Sequence, residues 1–311
     1  MAPQNPTRTM PHGPDGIAEA ARLIRAGQPV AVPTETVYGL AADASDPAAV
    51  ARIFEAKGRP SFNPLIVHVL DLAAAERLGL FGDTARRLAA AHWPGPLTLV
   101  VPLRPGAAVA PAVTAGLATI ALRCPAHPAM RDLLAAAGRP LAAPSANASG
   151  GISPTTAAHV LKSLGGRIPL VLDGGATARG LESTIVKVEG DAVTLLRPGP
   201  VAVAAPAAGA GGGAVEAPGM LASHYSPGKP LRLDAAEAEP GEWLIGFGPV
   251  AGDDTLSAAG DLEEAAARLF GALHRADEQP RPRIAVAPVP AAGIGAAIND
   301  RLRRAAAPKE G

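Results

Sequence analysis

Four cations of this chain, Lys57, Arg59, Arg123 and Arg197, stand in loop or strand contexts and not along the polar faces of helices. Lys57 and Arg59 lie two apart in KGRPSFNPL (57–65), where Gly58 and Pro60 discourage continuing the preceding helix. An extended backbone there aims both side chains the same way, as a polyphosphate requires. Small donors accompany the cations. PTETVYGL (33–40) clusters Thr34, Glu35 and Thr36 after an apolar run. PSANASGGISPT (144–155) carries Ser145, Asn147, Ser149 and Ser153 around Gly150-Gly151, where backbone can approach a ligand closely. Pro154, Thr155 and Thr156 then open a helix whose first N–H groups suit an anion. Asn63 precedes Pro64, His68 sits inside an apolar strand, and Ser183-Thr184 opens a β-rich run. SHYSP (223–227) places His224 and Tyr225 where a loop can close over a pocket.

Taken singly, each residue has a plainer structural role. Lys57 and Arg59 suit a solvated helix end, Ser153 to Thr156 a capping loop, and His68 an apolar core. Capping does not account for Ser145 and Asn147, which lie much earlier. Together, the cations and small donors describe a site for an anionic nucleotide. It is built without a phosphate loop, since G-x-x-x-x-G-K-[ST] occurs nowhere. GFGPVA (246–251) and GAGGGA (209–214) fit a loose G-x-G-x-x-A only by coincidence. His and acidic residues show no ligand spacing, so no protein-ligated metal is expected, and Mg²⁺ would arrive with the phosphates.

Composition narrows the classes. Lys plus Arg and Asp plus Glu both total 28, so no global field draws the chain onto nucleic acid or an anionic membrane. The one cysteine, Cys124, excludes an intrachain disulfide and reads as a buried strand thiol. Neither a secretory signal nor a membrane span is evident, which points to a soluble cytoplasmic protein.

The elements that must position these residues alternate. Apolar periodicity predicts helices over 16–27, 46–57, 71–79, 83–92, 128–138 and 155–164. Strands are expected at 29–34, 65–69, 97–103, 119–124, 140–144 and 169–173, and a hairpin at 183–197. That mixture predicts an α/β domain with a mixed sheet over 16–200, after a frayed tail at 1–15. Residues 201–229 begin Pro/Ala/Gly-rich and read as a linker. About 20 residues can span roughly 60 Å, several times the roughly 16 Å radius of gyration of such a domain, so the linker can cross the site. Strands at 243–248 and 283–290 with helices at 261–277 and 293–307 predict a small Rossmann-like α/β domain over 230–311.

PTETVYGL, KGRPSFNPL, PSANASGGISPT, STIV (183–186) and RPG (197–199) closely resemble the YrdC-like domain of L-threonylcarbamoyladenylate synthases. PGMLASHYSP (218–227), LEEAAARLFGAL (262–273) and AINDRL (297–302) resemble that family's long two-domain form. The resemblance implies a YrdC-like twisted mixed sheet with flanking helices. It also implies a nucleotidyltransferase reaction: L-threonine, bicarbonate and ATP give threonylcarbamoyl-AMP and pyrophosphate, for tRNA modification. By motif, Thr36, His68, Arg123 and Ser183 would hold threonine, with the Ala143 backbone beside it. Arg59, Asn63, Thr119, Ser145, Asn147, Ser153, Arg197 and Tyr225 would hold ATP, with Lys57 and Arg59 catalytic. Hand-over to the tRNA threonylcarbamoyl transferase machinery is implied, with weak or no direct nucleic-acid binding and no membrane. A linker lid retaining the labile product follows as a hypothesis. Three rivals fare worse: a double-stranded RNA-binding module, a sugar-phosphate lyase needing acidic metal ligands, and a hydrogenase-maturation carbamoyltransferase needing zinc-finger cysteines.

Overall fold

The computed structural model describes residues 6–207, 217–218 and 223–308. Ten strands make the larger sheet. They are β1 (Arg8–Pro11), β2 (Val30–Pro33), β3 (Tyr38–Asp43), β4 (Ile66–His68), β5 (Leu97–Pro102), β6 (Thr119–Arg123), β7 (Leu141–Ala142), β8 (Leu170–Asp173), β9 (Thr184–Glu189) and β10 (Ala192–Arg197). Their spatial order is β1-β8-β2-β3-β7-β4-β6-β5-β9-β10, with parallel and antiparallel pairs mixed. Around it pack α1 (Pro14–Arg25), α2 (Pro47–Lys57), α3 (Leu72–Glu76), α4 (Asp83–His92), α5 (Pro111–Thr114), α6 (Pro128–Ala137) and α7 (Ala157–Leu164).

The period-two alternation of the strands splits their apolar residues between two cores. Val30 and Val32 of β2, Ala41 of β3, and Leu170 and Leu172 of β8 pack with α1 and α6. Ala31, Leu40, Ala42 and Val171 face the other way, onto α2 and α7. With both faces covered, the sheet is rigid enough to fix the loops at its ends.

Four further strands, β11 (Leu231–Arg232), β12 (Glu242–Gly246), β13 (Asp254–Thr255) and β14 (Arg283–Val286), form a second, all-parallel sheet in the order β11-β14-β12-β13. Helices α8 (Leu262–Glu278) and α9 (Gly295–Ala306) complete this unit. Its core is not closed on itself: Val37, Ile152 and Leu181 from the first unit, and Tyr225, pack into the same apolar cluster. Gly180 marks the closeness of the junction, for a Cβ there would lie 2.4 Å from the Ala267 carbonyl oxygen of α8.

Two expectations are corrected. The tail at 1–15 is ordered from Thr7 onward: β1 pairs in parallel with β8, and α1 begins at Pro14, a residue suited to the first helical turn. A four-residue edge strand between prolines leaves no alternation long enough to recognise. β3 was unforeseen because YGLAAD has weak strand propensity; it is a strand through pairing with β2 and β7. The linker expected at 201–229 falls partly on residues 208–216 and 219–222, outside the described residues, as do GAGGGA and part of PGMLASHYSP. Among the described residues, no helix is long and apolar enough to cross a membrane.

Candidate active site

Strands β4 and β6 run parallel with His68 opposite Arg123, both at their C-terminal ends. The Thr34–Val37 turn between β2 and β3 stands beside them. The Thr34 and Thr36 hydroxyls are 2.7 Å apart, and Arg123 Nη1 donates to Thr36 Oγ1 at 3.0 Å. Arg123 Nη2 also donates to Glu35 Oε1 at 2.6 Å. Burial pushes the Glu35 carboxyl up, but the Arg123 guanidinium outweighs it and holds the group below the usual carboxylate range. From the sheet's other half, Ser183 precedes β9 and is hydrogen-bonded to Thr98 of β5 at 2.8 Å. Arg197, the last residue of β10, donates from Nη2 to the Ser183 carbonyl at 2.9 Å and from Nη1 to the Pro218 carbonyl at 3.2 Å.

Ala143, Pro144 and Ser145 follow β7 along the same rim, and Gly39 of β3 bridges Ser145. A strap at 223–226 closes over them. Ser226 N donates to the Gly150 carbonyl at 2.8 Å, and the Tyr225 ring reaches into the pocket from a left-handed backbone with φ 63°. With the strap in place the pocket keeps about 50 Å³ of space and stays partly open to solvent. That admits a few waters, whereas ligand pockets run to about 300–1,000 Å³.

Nine of the expected site residues meet around this pocket: Thr36, Arg59, His68, Arg123, Ala143, Ser145, Ser183, Arg197 and Tyr225. The other five, Lys57, Asn63, Thr119, Asn147 and Ser153, do not line it. Lys57 ends α2 and donates from Nζ to the Ser145 carbonyl at 2.6 Å and to the Asn147 carbonyl. The expected extended geometry for Lys57 and Arg59 does not form, because Gly58 caps the helix in the left-handed region at φ 59°. Arg59 therefore turns to the Pro64 carbonyl at 2.9 Å and lines the pocket alone. Asn147 binds the Gly151 carbonyl at 2.8 Å, and Ser153 donates to Glu182. Asn63 follows Arg59. Thr119 begins β6, four residues and so about 13 Å from Arg123. The start of α7 is capped by its own Thr156, which accepts from His159 N at 3.3 Å.

Burial disfavours the charged forms of these bases. Lys57 is held well below its ordinary value by burial and then by Arg59, and Arg59 falls to about 10 by burial, with Arg197 adding to the fall. His68 falls to about 3 through burial and the neighbouring Arg123, so it is neutral at physiological pH. Eight buried side-chain atoms among the described residues lack a protein partner. Five of them belong to Asn63, His68, Asn147 and Tyr225, all residues singled out for a ligand. Buried polar groups are otherwise almost always paired, so these mark where a polar ligand fits. Two contributors were missed from the sequence. Glu182 lines the pocket and Arg301 pairs with it from α9, 119 residues away, and no local pattern links them.

A family model described as "Telomere recombination", covering the Sua5, YciO and YrdC proteins, matches residues 22–199. The chain belongs to the Sua5/YciO/YrdC family. A second model, described as "Threonylcarbamoyl-AMP synthase, C-terminal domain", matches residues 181–307, so this member of the Sua5/YciO/YrdC family has the two-domain form. It is 42% identical to the threonylcarbamoyl-AMP synthase of Bacillus subtilis, over 93% of this chain and 92% of that one. The crystal structure of Pyrococcus abyssi Sua5 complexed with L-threonine is similar across 96% of both chains, with a TM-score of 0.88 and 37% identity. Escherichia coli YciO shares the fold of the larger unit at 20% identity and a TM-score of 0.54, covering 62% of this chain and 96% of its own.

Proposed function

We propose that this chain makes threonylcarbamoyl-AMP from L-threonine, bicarbonate and ATP, with release of pyrophosphate, as the step that supplies threonylcarbamoyladenosine in tRNA. The observation that carries the reading is the joint placement of Thr36, His68, Arg123 and Ser183 at one rim. That rim lies in a chain similar along its length to a threonine-bound relative.

Threonine's carboxylate suits Arg123, and its hydroxyl and amine suit Thr36, Ser183 and neutral His68. The amine takes up bicarbonate as a carbamate with loss of water. A carbamate oxygen then attacks the α-phosphorus of ATP, and the bond to the bridging oxygen breaks to free pyrophosphate. Two anions must meet, so Arg59 and Arg197 offset their repulsion and stabilise the leaving group. No covalent intermediate is needed, and positioning supplies most of the rate. ATP would extend from Ser145, Asn147, Ser153 and Arg197 towards Arg59, Asn63 and Thr119.

Mg²⁺ fits as a passenger on the phosphates. Glu35 and Glu182, the carboxylates at the site, are both engaged by arginines. The strap serves as a lid. ATP does not fit the closed pocket, so the strap opens for substrate and closes over the labile product, which then passes to the tRNA threonylcarbamoyl transferase machinery in the cytoplasm. Pyrophosphate release by the purified chain, with threonine and bicarbonate omitted in turn, tests the reading. Release that requires both is expected; release indifferent to threonine would mean another adenylating activity.

A further inference from the structure

We propose that Arg301, carried by the C-terminal helix, is a positioning residue for the candidate site: it holds Glu182 and, through it, the Ser153 hydroxyl, beside the Tyr225 ring. The site is then incomplete without the C-terminal unit. This rests on the ATP-dependent reading above.

Glu182 lines the pocket immediately before Ser183. Its Oε1 accepts from Ser153 Oγ at 2.5 Å and its Oε2 from Arg301 Nε at 2.9 Å. Arg301 is wholly buried, donates from Nη1 to Asp300 at 2.7 Å, and lies 5.4 Å from the centre of the Tyr225 ring. Its Nη2 has no protein partner. Packing α9 against the core asks only for an apolar side chain at this position, and a buried ion pair is a poor source of stability. The pair answers a local electrostatic need instead. A bare carboxylate on the wall of a polyanion site would repel the triphosphate and pull Arg197 away from Ser183.

The charged and titratable groups facing Glu182 are Arg301 from α9, which Asp300 engages in turn, Arg197 from β10, and His224 and Tyr225 from the strap. Burial pushes the Glu182 carboxyl up, while Arg301 and then Arg197 outweigh it and keep the group ionised. Without Arg301 the largest offset to burial is gone, and the Glu182 carboxyl takes up a proton more readily.

The test compares full-length wild type with Arg301→Leu, Arg301→Lys, Glu182→Gln and the Glu182→Gln/Arg301→Leu double variant. Folding is checked by circular dichroism, and KM and kcat for ATP are measured from pH 6 to 8. In Arg301→Leu the KM for ATP should rise about tenfold at pH 8 and much less at pH 6, where Glu182 takes up a proton. Arg301→Lys should recover most of the loss, and the double variant should match Glu182→Gln alone with no such pH dependence. A pH-independent defect, or a double variant as impaired as Arg301→Leu at pH 8, overturns the proposal. If Arg301→Leu does not fold, the double variant decides: a further tenfold loss relative to Glu182→Gln overturns it. Carbon-13 carboxyl NMR of Glu182 reads the same coupling without the reaction. A titration moved upward in Arg301→Leu supports the proposal even if wild type releases no pyrophosphate, and an unmoved one sinks it.

Discussion

His159 of α7 and His274 of α8 stack face to face across the junction of the two units, ring centroids 3.8 Å apart at an interplanar angle of 17°. His274 Nε2 donates to the Ser153 carbonyl at 3.2 Å, so the stack braces the loop that carries Ser153. Lys162 and Glu278 pair at 2.9 Å across the same junction. Burial lowers His159 to about 4 and His274 to about 3, and both rings are neutral in the folded protein.

A pH dependence of stability follows. Both folded values lie below the ordinary 6.5, so as pH falls the unfolded chain takes up protons first. Stability is full above about pH 6.5 and is lost from there towards pH 4, with a slope of at most about 1.4 kcal/mol per pH unit for a fully buried histidine and less for the partly exposed His159. His68 and His224, each lowered to about 3, act in the same direction. Urea midpoints at pH 7.5, 6.0 and 5.0 should fall steadily, and less steeply in His159→Gln/His274→Gln. Identical midpoints across that range would dismiss the effect.

Lys57 and Arg59 should separate on mutation. Lys57→Met removes the Nζ donor that gathers the Ser145 and Asn147 carbonyls, so the melting temperature falls and the KM for ATP rises with it. Arg59→Met leaves that loop held but frees the Pro64 carbonyl, so it should raise the KM for ATP about tenfold or more with a smaller loss of stability than Lys57→Met. Equal stability losses in the two variants would remove the distinction.

Gly199 should tolerate no side chain. A Cβ there would lie 2.4 Å from Thr184 N, 2.7 Å from the Ser183 carbonyl carbon and 2.8 Å from the Glu182 carbonyl oxygen. Gly199→Ala must displace the segment that carries Ser183 and Glu182, at a cost of about 1–3 kcal/mol. Threonine and ATP affinities should drop together; unchanged steady-state constants would show that the segment yields freely.

Tyr225 distinguishes ring from hydroxyl. Its oxygen has no protein partner, so Tyr225→Phe should leave the stability of the free protein unchanged or slightly raised. If the hydroxyl meets the nucleotide, the same variant weakens ATP binding about tenfold, by roughly the 1.4 kcal/mol of one hydrogen bond. Calorimetric binding of ATP to both forms checks this, and equal affinities would leave the ring only a packing role.

The loops that line the site were legible in the sequence because their composition suits neither helix nor strand. Asp46, the first residue of the helix expected over 46–57, proves to be its N-cap, and its Oδ1 accepts from Ala48 N at 2.8 Å. Nine expected residues meet at one pocket because strand order brings β4, β6, β7 and β9 to a common rim. Spacing along the chain does not reveal which side chain turns inward. Lys57 and Arg59 look equivalent as letters, and the left-handed Gly58 sends them to different tasks. Glu182 and Arg301 were illegible as a pair, since the contact that gives each its meaning depends on how α9 docks.

The strap is fastened to the Gly150-Gly151 loop by main-chain atoms: Ser226 N meets the Gly150 carbonyl, and Gly151 bridges Ser226 as a short parallel ladder. A clasp made of peptide groups is indifferent to which side chains flank it. Side chains along the strap can therefore change without removing the clasp, whose donors and acceptors stay in the backbone. Exchanging those side chains becomes a route to altering what the strap presents to the pocket while its fastening stays fixed.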